Sequence, residues 1–179
     1  MKPIPQMQSR LQGAKIHEVF GTKMRSVIKL ANPIGIKTCL DQQFELAEQV
    51  HQEGFIPIIE PEVDIDSPEK TAAENLLKES LLTHLDSLSE THNVILKLTL
   101  PNQAGLYAAL VSHPRVLRVV ALSGGYPREK ANALLAKNPN LVASFSRALT
   151  EGLKFDQSQS EFDAKLDSSI QSIFKASVK

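Results

Sequence analysis

The chain has 179 residues, and its 20 lysines and arginines balance its 20 aspartates and glutamates. With 42% hydrophobic and 22% charged residues, it has the composition of one ordinary globular domain, residues 1–179. Balanced charge, without a basic run interleaved with aromatics, excludes nucleic acid as an expected partner. No apolar stretch approaches the roughly 18 residues of a membrane span, and the first residues lack the apolar core of a signal peptide. We therefore expect no membrane association and a cytoplasmic location.

The cysteine and histidine content bears on two further classes of protein, disulfide scaffolds and metal-binding proteins. The single cysteine, Cys39, cannot form an internal disulfide, and the five histidines include no pair at metal-ligand spacing. The sequence therefore predicts neither a disulfide scaffold nor a metal site.

From residue 21 onward, short apolar runs alternate with longer amphipathic stretches, which is typical of strands that feed helices. Five strands are predicted, at residues 23–30, 55–59, 94–98, 116–122 and 141–145. Helices are predicted after each of the first three strands and at the end of the chain. Because the strands are almost continuously apolar, they indicate a parallel sheet covered by helices.

Start and stop signals locate three of these helices. The helix after the first strand ends at Gly54 and has one apolar face, formed by Leu40, Phe44, Ala47 and Val50. Ser67-Pro68-Glu69 predicts that the next helix starts with a capping serine and a proline at its first position. Residues 158–161 have the pattern of a capping box for the last helix. The predicted buried side of that helix comprises Phe162, Leu166, Ile170, Ile173 and Phe174.

Polar residues mark the ends of the predicted strands, where barrel enzymes place their chemistry. They are Arg25, Glu60, Lys97, Ser123 and Arg147. Their average separation of about 30 residues suits the strand-helix unit of a (β/α)8 TIM barrel better than an open sheet. Eight units need roughly 240 residues. We therefore predict an α/β fold that is a partial TIM barrel of about five parallel strands, within a range of four to eight, lacking the N-terminal strands.

Lys97 lies inside the apolar strand 94–98, where a buried ammonium group is costly unless it is paired or deprotonated. Loss of hydration favours the neutral amine of a lysine, and a neutral amine attacks a ketone to form a Schiff base. The alternative is a lysine near a strand end that extends its ammonium group into solvent. The strand alone does not decide between them.

Glu60 and Glu62 flank Pro61 just after the second predicted strand. A carboxylate beside an apolar wall can shuttle protons. Without other context, a pair of solvated loop acids is the better interpretation. Lys23 and Arg25 share one face of the first strand, because side chains alternate along a strand. They could contact a phosphate, or they could pair with the two glutamates.

Ser123, Gly124 and Gly125 follow the fourth strand. Such a turn lets a hydroxyl and backbone N–H groups converge on an anion, and the loops after the last barrel strands commonly hold phosphate. A plain glycine turn is the alternative. Arg147, after the next strand, favours the anion site because a guanidinium binds phosphate bidentately.

Five segments are spread over essentially the whole chain: Gly21-Thr22-Lys23-Met24-Arg25-Ser26, Ile56-Pro57-Ile58-Ile59-Glu60-Pro61-Glu62-Val63, Leu96-Lys97-Leu98-Thr99-Leu100-Pro101, Ala121-Leu122-Ser123-Gly124-Gly125-Tyr126 and Ala143-Ser144-Phe145-Ser146-Arg147-Ala148-Leu149. In their order and spacing they together resemble class I fructose-bisphosphate aldolase in its bacterial form, and within it the C-terminal part. The resemblance implies a glycolytic lyase that reversibly cleaves fructose 1,6-bisphosphate to dihydroxyacetone phosphate and glyceraldehyde 3-phosphate. It implies no metal and no other cofactor.

The resemblance also assigns roles to residues. Lys97 matches the Schiff-base lysine, and Glu60 matches the acid/base that helps expel water from the carbinolamine. Glu62 and Lys23 match supporting charges. The remaining matches imply substrate binding, by Arg25 and by a pocket for the ketose 1-phosphate formed by Ser123, Gly124, Gly125 and Arg147.

The family carries, on strands upstream of the matched region, an aspartate that assists C–C cleavage and a lysine near the active centre. This sequence shows neither, and it lacks the C-terminal tyrosine of the animal enzymes. We therefore expect a truncated reading frame, a gene fragment or half of a split enzyme. Its expected partners are a sugar phosphate, another copy of itself or a complementing N-terminal fragment. The alternative function is that of a non-catalytic remnant that at most binds sugar phosphate.

Overall fold

The computed structural model describes residues 4–177 of the chain. Strands and helices alternate through most of this range. In chain order the elements are α1 (Met7–Ile16), β1 (Gly21–Ile28), α2 (Pro33–Gln52), β2 (Ile56–Val63), α3 (Lys70–Asp86), β3 (Val94–Thr99), α4 (Ala108–Val111), β4 (Val116–Leu122), α5 (Arg128–Leu135), β5 (Val142–Ala143), α6 (Arg147–Thr150) and α7 (Gln159–Ser177).

The five strands form one parallel sheet in the order β1-β2-β3-β4-β5. In a doubly wound sheet the strand order reverses at a switch point. Here each strand pairs with its predecessor in the chain, which is the winding of a (β/α) barrel. The structure confirms the predicted α/β fold, an incomplete TIM barrel with five parallel strands.

The hydrophobic core lies between the sheet and the helices that cover it. Leu40, Phe44, Ala47 and Val50 of α2 are buried, as their spacing predicts, and α2 packs against β2 and α3. The leucine, phenylalanine and valine side chains each contribute roughly 1.5–3 kcal/mol when they are buried. None of the helices in residues 4–177 combines the length and the apolar character of a membrane span.

Strand β2 is longer than predicted. It stays in register with β1 as far as Val63, so Glu60, Pro61 and Glu62 lie in the strand and not in a loop after it. Pro61 has no backbone N–H, so it cannot donate a hydrogen bond to a neighbouring strand. The pairing of β2 with β3 ends at Ile59, among the described residues, so Pro61 lies beyond the part of β2 that pairs on both sides.

Other element boundaries also differ from the prediction, among them those of α3 and β5. Helix α3 begins at Lys70 and not at Pro68, because Ser67 accepts a hydrogen bond from the N–H of Glu69 within a turn that precedes the helix. Strand β5 has only two residues, so Arg147 is the first residue of α6 and not a strand-end residue.

Helix α7 begins at the predicted capping box. The N–H of Ser158 donates to Glu161 Oε2 at 2.8 Å, and the N–H of Glu161 donates to Ser158 Oγ at 3.4 Å. The predicted buried face is wrong at Ile170 and Phe174, which are 46% and 58% exposed. Helix α7 packs on α5 and α6, and this leaves the two side chains in an open apolar groove beside β5.

Candidate active site

A cavity of about 210 Å³ lies at the carboxyl end of the sheet. Side chains from or after all five strands line it, because the carboxyl ends of parallel strands meet at one edge. Seven of the nine predicted site residues are in its wall: Arg25, Glu60, Glu62, Lys97, Ser123, Gly124 and Arg147. The other two, Lys23 and Gly125, lie against wall residues, at Glu60 and Arg147 respectively.

The carboxylate of Glu60 lies between two ammonium groups. Its Oε1 is 3.2 Å from Lys97 Nζ and its Oε2 is 2.6 Å from Lys23 Nζ. Glu60 is only 3% exposed, so the interpretation as a solvated loop acid is wrong. Lys97 is the fourth of six residues in β3, and its side chain is 19% exposed. It therefore points into the cavity beside a carboxylate instead of extending from a strand end into solvent.

Arg25 and Glu62 form the second ion pair of the site. Arg25 Nε donates to Glu62 Oε2 at 2.6 Å. This hydrogen bond is the main cause that raises the pKa of Arg25, and the negative charges of Glu62 and Glu60 add to it against the opposing effect of burial. Of the two alternatives for Lys23 and Arg25, the structure shows pairing with the two glutamates. Half of the Arg25 side chain remains exposed at the cavity.

The glycine turn after β4 has a conformation that suits glycine. Gly124 and Gly125 have φ angles of +64° and +117°. A Cβ on Gly125 would lie 3.6 Å from Arg147 Nη1, so the guanidinium faces the turn directly. The hydroxyl-bearing Ser123 is buried in the same wall. A guanidinium beside a glycine turn and a hydroxyl is an arrangement that suits an oxyanion.

The structure adds site residues that sequence reasoning missed. Ser144 and Ser146 line the cavity near Arg147. Their position just after the fifth strand, beside a predicted site arginine, was a usable signal. Ile65, in the turn after β2, packs on the glycine turn, and no local pattern marks it. Among residues 4–177, no group of three or more histidine, cysteine, aspartate or glutamate side chains is placed to share a metal ion.

The chain is similar in sequence to curated proteins. No family model matches the chain. A class 1 fructose-bisphosphate aldolase of Synechocystis is 56% identical over 178 residues, which cover 99% of this chain and 59% of the relative. The class 1 fructose-bisphosphate aldolase of Porphyromonas gingivalis is 50% identical over 179 residues, covering 100% of this chain and 60% of the relative. The chain thus spans about three fifths of the length of the curated relatives that it matches.

A solved structure shares the fold. The fructose-bisphosphate aldolase of Plasmodium falciparum, crystallised with TRAP and a small-molecule inhibitor, superposes with a TM-score of 0.68 at 20% identity. The superposition covers 94% of this chain and 58% of that chain. Over its whole length, the chain resembles the C-terminal part of class 1 fructose-bisphosphate aldolase.

Proposed function

We propose that this chain provides the Schiff-base centre of a fructose-bisphosphate aldolase, which reversibly cleaves fructose 1,6-bisphosphate to dihydroxyacetone phosphate and glyceraldehyde 3-phosphate. One observation carries the proposal. Lys97, inside an apolar strand, lies 3.2 Å from the buried carboxylate of Glu60, in a cavity that also contains a glycine turn and an arginine. The names of the two curated relatives support the same reaction.

The proposed chemistry starts with proton transfer from Lys97 to Glu60, whose Oε1 is within reach of Nζ. The neutral amine attacks the ketone carbon, and a carbinolamine forms. Glu60 then returns the proton to the leaving hydroxyl, which departs as water. The resulting protonated imine withdraws electrons from the neighbouring C–C bond. When that bond breaks, the electron pair remains on the ketone-derived product as an enamine. The hydroxyl on the departing carbon becomes the aldehyde carbonyl as its proton passes to a base, which by the family resemblance is the aspartate of the unmatched strands.

The phosphate of the ketone-bearing half is proposed to bind at the turn after β4. Arg147 faces Gly125 there, and Ser123 contributes a hydroxyl. A guanidinium and backbone N–H groups suit a phosphate because they offer several donors in a fixed geometry. Binding at this position would orient the substrate carbonyl toward Lys97 across the cavity.

Borohydride trapping tests the proposal. Incubation with dihydroxyacetone phosphate and borohydride, followed by peptide mass analysis, is expected to add the reduced triose phosphate to Lys97. Lys97→Arg keeps the charge and is expected to abolish the adduct. Lys37→Arg, at an exposed lysine of α2 that pairs with Asp41, is the matched control and is expected to leave labelling unchanged. Adduct on another lysine in the wild-type chain would overturn the assignment.

We also propose that full turnover needs strands beyond those that residues 4–177 contain. Within residues 4–177, β1 and β5 each pair on one side only. Val27, which shares the cavity-facing side of β1 with Lys23 and Arg25, is 42% exposed. By the family resemblance, the aspartate that assists C–C cleavage comes from a strand that this chain does not match.

A mixing assay separates imine formation from turnover. The chain alone is expected to form the imine but to cleave fructose 1,6-bisphosphate poorly. Addition of a polypeptide with the unmatched part of the Synechocystis relative is expected to raise turnover. Turnover typical of enzymes by a monomer of the chain alone, checked by light scattering, would refute the need for a complement. Binding of sugar phosphate without imine formation would instead support a non-catalytic remnant.

A further inference from the structure

Gln43 is a completely buried polar residue on α2, outside the cavity. Its amide links two strands. Nε2 donates to Ser26 Oγ of β1 at 3.0 Å, and Oε1 accepts the backbone N–H of Glu60 in β2 at 3.0 Å. An amide buried in an apolar interface is costly unless it is bonded in this way. The side chain therefore fastens the backbone of Glu60 to α2 and β1.

The pairing of the strands shows why these two hydrogen bonds of Gln43 matter. Among the described residues, β2 pairs with β3 at two positions only, Ile58 with Ile95 and Ile59 with Leu96. That pairing ends one residue before both Glu60 and Lys97. Further along, the Thr99 hydroxyl donates to the carbonyl of Val63 at 2.7 Å. Glu60 thus lies at a point where β3 does not fix its backbone by ladder pairing.

The side chain of Glu60 points to the opposite face of the sheet from Gln43, into the cavity. The 3.2 Å distance between Glu60 Oε1 and Lys97 Nζ depends on the position of the Glu60 backbone. Both Gln43 and the strand pairing fix that position. A displacement of about 1 Å in a catalytic group can slow a reaction roughly 100-fold. A small shift of β2 at this residue would therefore affect proton transfer more than substrate binding.

We propose that Gln43 is a positioning residue for the acid/base, which holds the backbone of Glu60 so that its carboxylate reaches Lys97. The inference rests on the proposed aldolase function for its kinetic consequence. It predicts that loss of the Gln43 amide slows imine formation while the phosphate pocket, whose binding groups follow β4 and β5, keeps its affinity.

The kinetic test compares Gln43→Met, which keeps the length of the side chain, with Asn138→Leu. Asn138 is a matched control: it is a buried amide that accepts the N–H of Gly105 and donates to the carbonyl of Leu134, away from the site. In Gln43→Met the rate of borohydride-trapped imine formation is expected to fall about 10-fold, with a flattened pH profile, at unchanged affinity for inorganic phosphate. Asn138→Leu is expected to change neither. Equal losses in both variants would mean a merely structural role and overturn the proposal.

A second readout does not need the substrate. Acylation of Lys97 by acetic anhydride, followed by peptide mass analysis, reports how closely Nζ is held against the Glu60 carboxylate, which lies 3.2 Å away. Gln43→Met is expected to raise the Lys97 acylation rate roughly 3-fold relative to the surface lysine Lys37, a change of about 0.7 kcal/mol. Asn138→Leu is expected to leave the ratio unchanged.

The two readouts separate the two proposals. Absence of imine in the wild-type chain, together with the acylation change, contradicts the proposed function but supports the role of Gln43. Imine formation in Gln43→Met at the wild-type rate, or an unchanged acylation ratio, contradicts the role of Gln43. Ser26→Ala, which removes the anchor of the Gln43 amide, is expected to give a smaller effect of the same kind, and one that is not additive with Gln43→Met.

Discussion

Ile65 lies directly over Gly124, so that a Cβ built on the glycine would come within 2.5 Å of Ile65 Cγ2. The two residues belong to different turns, one after β2 and the other after β4. The turn after β2, the strand that carries Glu60 and Glu62, therefore shapes the turn proposed to bind phosphate. Both the contact and the positive φ of Gly124 disfavour any side chain there.

Gly124→Ala is expected to lower the free energy of unfolding by about 2 kcal/mol and to weaken phosphate binding, because backbone strain and the clash with Ile65 act together. The double variant with Ile65→Ala is expected to recover the part due to the clash and to keep the part due to φ. Urea unfolding and phosphate titration measure the two effects. Strictly additive losses in the double variant would show that the contact with Ile65 is unimportant.

The site was predictable from the sequence to the extent that single residues conflict with their surroundings. A lysine in an apolar strand and glutamates after a buried one are such conflicts, and the structure brings Lys97 and Glu60 to 3.2 Å. Gln43 carries such a signal that the sequence reasoning missed, because it is a polar residue on the apolar face of α2, three residues after Leu40 and four before Ala47. Ile65 could not be found in this way, since it looks ordinary in its own segment and its contact is with a glycine far along the chain.

The fold was predictable because alternating apolar strands and amphipathic helices fix the order of elements. The errors fall where tertiary packing overrides the local signal. Pro61 suggested the end of a strand, but pairing with β1 carries β2 on to Val63. The apolar stripe of α7 suggested burial of Phe174, but the neighbours of that helix cover a different face.

Lys70 and Glu74 form a buried ion pair that ties α3 to the turn after β3. They are 4% and 0% exposed, and Lys70 Nζ also donates to the carbonyl of Leu100 at 2.9 Å. Glu74 Oε2 accepts the N–H of Asn102 at 3.0 Å. The pair therefore fixes the chain where it leaves the strand of Lys97.

Lys70→Met alone is expected to destabilise the chain by about 3–5 kcal/mol, because it leaves the carboxylate of Glu74 buried without its cation. The double variant with Glu74→Leu removes both charges and is expected to cost less than the single change. Urea unfolding of the two variants and the wild type provides the comparison. A double variant less stable than Lys70→Met would contradict this account.

Tyr107 carries a hydroxyl that the fold does not satisfy. The residue is fully buried, and within residues 4–177 its OH has no hydrogen-bond partner. Burial, with a smaller effect of the charge on Glu74, raises the pKa of Tyr107 well above its usual value of 10.0. Tyr107→Phe is expected to raise the free energy of unfolding by about 1 kcal/mol. A hydroxyl that is buried without a hydrogen bond loses its hydration and gains no partner in exchange. A less stable variant in urea unfolding would reveal a hydrogen bond to this hydroxyl.

His51 is expected to make the stability of the chain depend on pH. Its ring stacks on that of His92, with centroids 4.4 Å apart, and its buried Nε2 has no hydrogen-bond partner among the described residues. Burial lowers the pKa of His51 below its usual 6.5, the charge of His92 lowers it further, and Glu48 opposes both. The folded chain therefore holds the neutral ring to lower pH than the unfolded chain does.

The sign follows from proton binding. As the pH falls below about 6.5, the unfolded state takes up a proton at His51 before the folded state does, so the stability of the fold decreases until the lowered pKa is passed. Above 6.5 this residue contributes no slope. His51→Gln is expected to lose less melting temperature between pH 7.5 and pH 5 than the wild type, whereas His17→Gln, at an exposed histidine after α1, is expected to follow the wild type. If His51→Gln and the wild type lose the same number of degrees over this range, protonation of His51 is not linked to folding.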